Sequence, residues 1–338
     1  MILPNRQVPV APGPAGIPIN DSLPQASRLV FGCMGLGGGW NAQEISGQDI
    51  YRAQAAVEAA LEIGITLFDH ADIYTLGKAE QCFGTLFRHQ PGLREHMLLQ
   101  SKCGIRFADA IGPKRYDLSA AHIVGSVEAS LRRLNTDYLD LLLLHRPDPL
   151  MQADEVAEAW MSLKSAGKAR HLGVSNMHNG QMRSLLHALG GEPLVVNQLE
   201  MSLRKLDWLD SGTCFNDSQG RPDGTDWAGT LHHCQQHRVQ IQAWGSLAKG
   251  WFSGALPADA APAARETAVL VQNLADFHQV ARESIVLAWL MKHPAGIQPV
   301  IGTSDPVRIR ACAAAPGVHL SREAWYRLYE TARGGELP

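Results

Sequence analysis

"YLDLLLLH", residues 138–145, decides the fold. A short, almost continuous apolar run closed by a polar residue is how a strand buried on both faces of a parallel sheet reads. Seven more such runs lie along the chain: "RLVFGCM" (28–34), "ITLFD" (65–69), "MLLQSK" (97–102), "HLGVSN" (171–176), "LVVNQ" (194–198), "VQIQAW" (239–244) and "IQPVIGT" (297–303). Between them the apolar residues take helical spacing. "GQDIYRAQAAVEAALEIG" stops at Gly64, and "DLSAAHIVGSVEASLRRLN" opens on a Ser119 cap and stops at Asn135. "ADEVAEAWMSLKSAGK" and "NGQMRSLLHALGG" repeat the pattern. Residues 266–294 are long enough for two consecutive helices. Strand and helix thus alternate eight times, which predicts a parallel sheet with helical crossovers closed into a (β/α)8 TIM barrel.

Two segments fall outside the repeat. Residues 1–27 form an N-terminal extension that either seals the barrel bottom or lies loosely against it; residues 28–338 form the single barrel domain. Residues 203–230 are polar and turn-rich, and read as a long loop insertion after strand six. "SREAWYRLYETARGG" predicts an extra C-terminal helix starting at Ser321.

A net charge of -3 gives no basic surplus for nucleic acid or an anionic membrane surface. No apolar stretch approaches the length of a membrane span, and the N-terminal stretch has no continuous apolar core of signal-peptide length. The six cysteines stand singly, without metal-ligand spacing. These features predict a cytoplasmic protein with reduced thiols.

Barrel chemistry sits where the strands end. The strand ends offer Asp69, with Tyr74 in the loop beyond it, then Lys102, His145, Ser175 and Asn176, Gln198, Trp244, and Gly302 with Thr303. A lysine cation beside a tyrosine favours the phenolate, and a buried lysine needs a counter-charge such as Asp69. A histidine there can orient a carbonyl oxygen. Such a set protonates an oxygen while something else, such as hydride from a nicotinamide, attacks the carbon. "GCMGLGGGW" (32–40) fails as a dinucleotide fingerprint, because Trp40 takes the place of the third glycine; it reads as a flexible loop.

At these residues the chain resembles the aldo-keto reductase family, most of all the bacterial general NADPH-dependent members with "HRPDP" after strand four. The resemblance is carried by "FDHADIY", "SKCG", "LLLLHRPDP", "GKARHLGVSN", "NQLEMS", "AWGSLAKG" and "PVIGTSDPVRIR". It implies a catalytic tetrad at Asp69, Tyr74, Lys102 and His145. It implies nicotinamide contacts at Ser175, Asn176, Gln198 and Trp244, and pyrophosphate contacts at Ser246, Leu247, Lys249 and Gly250. The adenosine phosphate falls to Gly302, Thr303, Ser304 and Arg308. The activity implied is reversible NADPH-dependent reduction of an aldehyde or ketone, a small-molecule carbonyl substrate. Three positions depart from the family: Gly245 stands for a frequent serine, His70 for a small residue, and Asp305 brings a carboxylate near the expected 2′-phosphate, which keeps NADH open as cofactor.

Trp40 and Trp251 are assigned to the substrate mouth, with packing as the alternative reading of each. Asp72 reads as a loop residue. His232, His233 and His237 read as a solvated helix face, and no metal is assigned. Two other functions compete with this one: a metal hydrolase using Asp69, His70, Asp72 and His145, and a sensor that holds NADPH without turnover.

Overall fold

The computed structural model describes residues 16–214 and 227–338. Eight strands close into a parallel barrel: β1 (Val30–Gly32), β2 (Leu67–Asp69), β3 (Leu98–Cys103), β4 (Leu139–Leu144), β5 (Ala169–Ser175), β6 (Leu194–Glu200), β7 (Gln240–Trp244) and β8 (Gln298–Ile301). β8 returns to β1 in the register Val30 to Val300. Each strand coincides with one of the eight apolar runs. The leucine run shows why both of its faces are apolar. Leu141 and Leu143 join the cluster inside the barrel, whereas Leu142 and Leu144 face the helix layer. Each fully buried leucine contributes about 1.5–3 kcal/mol.

Outside the barrel lie α1 (Gly47–Glu62), α2 (Lys78–His89), α3 (Ala120–Leu134), α4 (Ala153–Ser165), α5 (Asn179–Ala188), α6 (Asp207–Thr213) and α7 (Trp227–Gln236). They are followed by α8 (Pro262–His278), α9 (Arg282–Met291), α10 (Pro306–Arg310) and α11 (Arg322–Arg333). Ser119 caps α3 and Ser321 caps α11, each accepting from a backbone N–H of the first turn. The C-terminal helix α11 packs on α8.

Several elements were not expected. α2 is one of them; Gly84 within it lets the helix lie against the end of α3, where a β-carbon would come within 2.2 Å of the Arg133 carbonyl oxygen. A two-residue hairpin, Ile105–Arg106 with Arg115–Tyr116, follows β3. The segment expected to be one long loop is partly helical. α6 occupies Asp207–Thr213, with Trp208 and Leu209 buried, and α7 begins at Trp227. Its central part, 215–226, lies outside the described residues, as do residues 1–15 of the N-terminal extension.

The described part of that extension plugs the end of the barrel where the strands start. Ile17, Ile19, Leu23 and Ala26 pack with Val30, Leu67, Val195 and Val300. The Ile19 N–H donates to Gln240 Oε1 at 3.3 Å, at the first residue of β7. With that end closed, the opposite end carries the strand-end residues.

Candidate active site

Asp69 closes β2 and pairs in register with Gln100 of β3. Lys102 lies two residues beyond Gln100, so both side chains share one face of the pleat. The chain then turns sharply after β2 to present Tyr74. Thr75 (φ 47°) and Leu76 (φ 62°) are both left-handed in this turn. That conformation costs about 1–2 kcal/mol for each such residue. The Thr75 hydroxyl holds the turn, donating to the Leu36 carbonyl at 3.0 Å.

The three ammonium hydrogens of Lys102 are all used. Nζ lies 2.8 Å from both Asp69 carboxylate oxygens. It also donates to the His70 carbonyl at 2.9 Å and to Tyr74 Oη at 2.8 Å. Because the lysine is the donor, the Tyr74 hydroxyl accepts there and keeps its own hydrogen for another partner.

Burial raises the Tyr74 phenol above its ordinary value. Lys102 works against that rise and Asp69 adds to it. The lysine does pull the phenol down, as expected, but desolvation wins and the group holds its proton at neutral pH. For Lys102, burial pulls the ammonium down, yet Asp69 and Tyr74 outweigh it and leave the group above its usual range. His145 is held well below the usual histidine range by burial first, then by Lys102 and Arg146. It is therefore neutral. Its Nδ1 is buried without a partner. A buried N–H left unpaired is costly, so the tautomer we assign carries the hydrogen on Nε2.

His145 stands 6.0 Å from Tyr74 between ring centroids, edge to face. Asn176, left-handed at φ 59°, ties the neighbouring strand ends together. Its Nδ2 donates to the His145 carbonyl at 3.3 Å and to Ser175 Oγ at 2.8 Å, and its Oδ1 accepts from Trp244 Nε1 at 3.1 Å. Gln198 donates its Nε2 to Gln242 Oε1 at 3.0 Å. Asp69, Tyr74, Lys102, His145, Ser175, Asn176 and Trp244 are thus linked through direct contacts, and Gln198 joins them through the barrel interior.

The loop after β7 runs alongside the start of α10. Leu247 is followed by three left-handed residues, Ala248 (φ 51°), Lys249 (φ 57°) and Gly250 (φ 82°). Within this turn the Ala248 and Gly250 N–H groups donate to the Gly245 and Leu247 carbonyls, each at 2.8 Å. A β-carbon on Gly250 would come within 2.9 Å of the Arg308 guanidinium. Arg308 donates to Ser253 Oγ at 2.8 Å and to Glu283 at 3.3 Å. Lys249 is exposed. Ser246 is buried and donates to the Val300 carbonyl at 2.7 Å. Thr303 Oγ1 accepts from the Asp305 N–H, Ser304 Oγ lies beside Gly35, and Gly302 is open on its Cβ side. Asp305 caps α10, with Oδ1 accepting from the Val307 N–H at 2.9 Å, so that carboxylate oxygen is engaged by backbone.

Trp40 is 52% exposed and meets Phe107 edge to face at 6.3 Å, joining the loop after β1 to the loop after β3. Trp251 is half-buried, with the Arg204 guanidinium 3.3 Å above its ring.

Asp72 lies in the loop after β2, as expected, but one of its oxygens is buried without a partner, and burial beside Glu80 pushes its carboxyl up to about 7. His232 and His233 lie on α7 and His237 just beyond its end; His233 is buried, so that face is not uniformly solvated. His70 gains an explanation. It is buried edge to face on Phe83, and desolvation, aided by Lys102, lowers it to about 3, so it acts as a neutral aromatic filler. Among the described residues no group of three or more His, Cys, Asp or Glu is placed to hold a metal ion. The sequence reading passed over Gln100 and Gln242, whose polar side chains lie inside the barrel. Their positions two residues before Lys102 and Trp244 were the available signal.

The Aldo/keto reductase family model matches residues 28–333. An uncharacterized oxidoreductase of Bacillus subtilis, YcsN, is 36% identical over 320 residues, covering 93% of this chain and 97% of that protein. A 6-dehydroglucose reductase of Agrobacterium fabrum is 37% identical over 327 residues, covering 95% and 99%. A crystal structure of an aldo/keto reductase from Klebsiella pneumoniae in complex with NADP and acetate superposes with a TM-score of 0.67 at 26% identity, covering 90% of each chain.

Proposed function

The chain belongs to the aldo/keto reductase family, and on that premise we propose that it reduces an aldehyde or ketone to the alcohol with NADPH, Tyr74 delivering the proton. The observation that carries this reading is Lys102 Nζ, 2.8 Å from both the Asp69 carboxylate and Tyr74 Oη, with the tyrosine hydrogen left free. The Klebsiella relative is a complex with NADP, and the Agrobacterium relative is a reductase by name.

The residues present fit a nicotinamide dinucleotide. Gln198 spends its Nε2 on Gln242, which leaves Oε1 as an acceptor for a carboxamide N–H. Ser175 and Asn176 supply further polar atoms, and the partly exposed Trp244 ring offers a stacking face. The pyrophosphate falls to Ser246, Leu247, Lys249 and Gly250, where the exposed Lys249 supplies the positive charge. Arg308, with Gly302, Thr303 and Ser304 nearby, suits the adenosine phosphate and favours NADPH over NADH, while Asp305 spends one carboxylate oxygen on the α10 cap. Bound there, the dihydronicotinamide supplies the hydride that adds to the carbonyl carbon.

The chain's own groups do the rest. His145 Nε2–H donates to the carbonyl oxygen and fixes its direction. The Tyr74 proton passes to that oxygen as charge builds on it. Lys102 steadies the phenolate left behind, Asp69 holds Lys102 charged, and water restores the phenol proton. Trp40 and Trp251 border the mouth and contact the substrate. The same reading places the enzyme in the cytoplasm, in keeping with six buried free cysteines. The test is loss of NADPH absorbance with a reactive aromatic aldehyde. Loss that needs both protein and aldehyde supports the reading; bound NADPH without turnover on any carbonyl overturns it.

A further inference from the structure

Four glutamines, one each from β3, β6, β7 and β8, lie wholly buried inside the barrel: Gln100, Gln198, Gln242 and Gln298. A buried amide is costly unless its groups are paired, and these are paired largely with one another. Gln100 Nε2 donates to Asp69 Oδ1 and to Gln242 Oε1 at 2.9 Å. Gln242 Oε1 also accepts from Gln198 Nε2 at 3.0 Å. Gln242 Nε2 donates to Gln298 Oε1 at 3.0 Å, and Gln298 Nε2 donates to the Ser27 carbonyl at 2.6 Å.

The direction of the chain is forced from both ends. The Asp69 carboxylate and the Ser27 carbonyl can only accept. Gln100 must therefore show nitrogen to Asp69, and Gln298 must show nitrogen to Ser27. Gln242 between them must turn oxygen towards Gln100 and nitrogen towards Gln298. With its oxygen so placed, Gln242 also obliges Gln198 to present nitrogen inward and oxygen to the site. Gln100 Oε1 is left buried without a partner, so the arrangement spends a hydrogen bond to keep both of its N–H groups aimed this way.

We propose that Gln100 and Gln242 are positioning residues for the reaction, a reading that rests on the proposed reductase function. Gln100 partly neutralises Asp69 and so helps to set the acidity of Tyr74 through Lys102. Gln242 fixes that contact and the orientation of Gln198 at once, which couples the acid to the carboxamide site.

The test uses the full chain with NADPH and an aromatic aldehyde, reading kcat against pH and the NADPH Kd by fluorescence. Gln100→Met removes a donor from Asp69, whose less-damped charge disfavours the phenolate. The alkaline limb then moves up by about half to one pH unit and kcat falls about tenfold, with the NADPH Kd unchanged. Gln242→Met does the same and also raises the NADPH Kd about three- to tenfold. Gln240→Met, an equally buried glutamine outside the chain, leaves both readouts in place. Should the methionine variants not fold, Gln242→Glu keeps the acceptor. It retains NADPH affinity while its charge moves the alkaline limb up. Variants at 100 and 242 that lose only stability, with pH profile and Kd as in the parent, overturn the proposal. A parent protein that never turns over aldehyde defeats the reductase reading instead, and the NADPH Kd of Gln242→Met still tests the orientation of Gln198.

Discussion

Lys102 Nζ donates to Tyr74 Oη across 2.8 Å, so the tyrosine hydrogen points elsewhere. That one direction separates a proton donor from a structural phenol. It depends on Asp69, which keeps a wholly buried lysine charged.

The pair has a stability signature. Lys102→Met leaves the Asp69 carboxylate buried without a counter-charge, and urea denaturation should show a loss of about 3–5 kcal/mol. The double change with Asp69→Asn should recover most of that stability and none of the turnover. Equal destabilisation in both would mean that the lysine acts through packing alone.

Activity against pH follows from the phenol. Burial holds Tyr74 above its ordinary value, so the protonated donor persists through neutral pH. The rate of carbonyl reduction should fall only above about 10, the ordinary tyrosine value. A fall between pH 7 and 9 would show that another group limits the reaction.

Stability against pH has two opposed contributions. His70, lowered to about 3, and His293, lowered to about 4, are both shifted mainly by burial. The unfolded chain binds their protons first, so their contribution is present above about 6.5 and is lost as pH falls towards the folded values. Asp72, raised to about 7, has the opposite sign: its folded form gains the proton, and stability falls as pH rises from about 4 to 7. Asp72→Asn should therefore stabilise the protein more at pH 8 than at pH 5, as read by thermal melts. An equal effect at both would refute the raised carboxyl.

On the proposed reading, cofactor choice rests on Arg308 and not on Asp305. Arg308→Met should raise the NADPH Kd about tenfold to a hundredfold and leave NADH binding nearly unchanged. Asp305→Ala removes the cap of α10 and should cost about 1 kcal/mol of stability, with the NADPH Kd unaltered. Tighter NADPH binding in Asp305→Ala would show that its carboxylate does face the phosphate.

The barrel was legible because strands buried on both faces leave nearly continuous apolar runs, as Leu139–Leu144 does with Asp140 its single break, and because caps such as Ser119 and Ser321 mark helix starts. α2 was not legible. It begins after three left-handed residues, Thr75, Leu76 and Gly77, with no side-chain cap, and Gly84 interrupts its pattern. α6 was hidden by its turn-rich composition, though Trp208 and Leu209 anchor it in the core. Asp69, Lys102 and His145 were readable as polar ends of apolar runs. Gln100 and Gln242 were not, because a glutamine inside a strand carries no sign of which partners will satisfy its amide. The elevation of Tyr74 likewise depends on how deeply the fold buries it, which its neighbours in sequence do not reveal.

Tyr74→Phe tests the central claim most directly, with NADPH affinity and aldehyde turnover measured on the same preparation. Turnover falling by orders of magnitude at unchanged NADPH affinity is the predicted result. Turnover that survives the substitution, or that falls only in step with cofactor binding, would contradict Tyr74 as the proton donor.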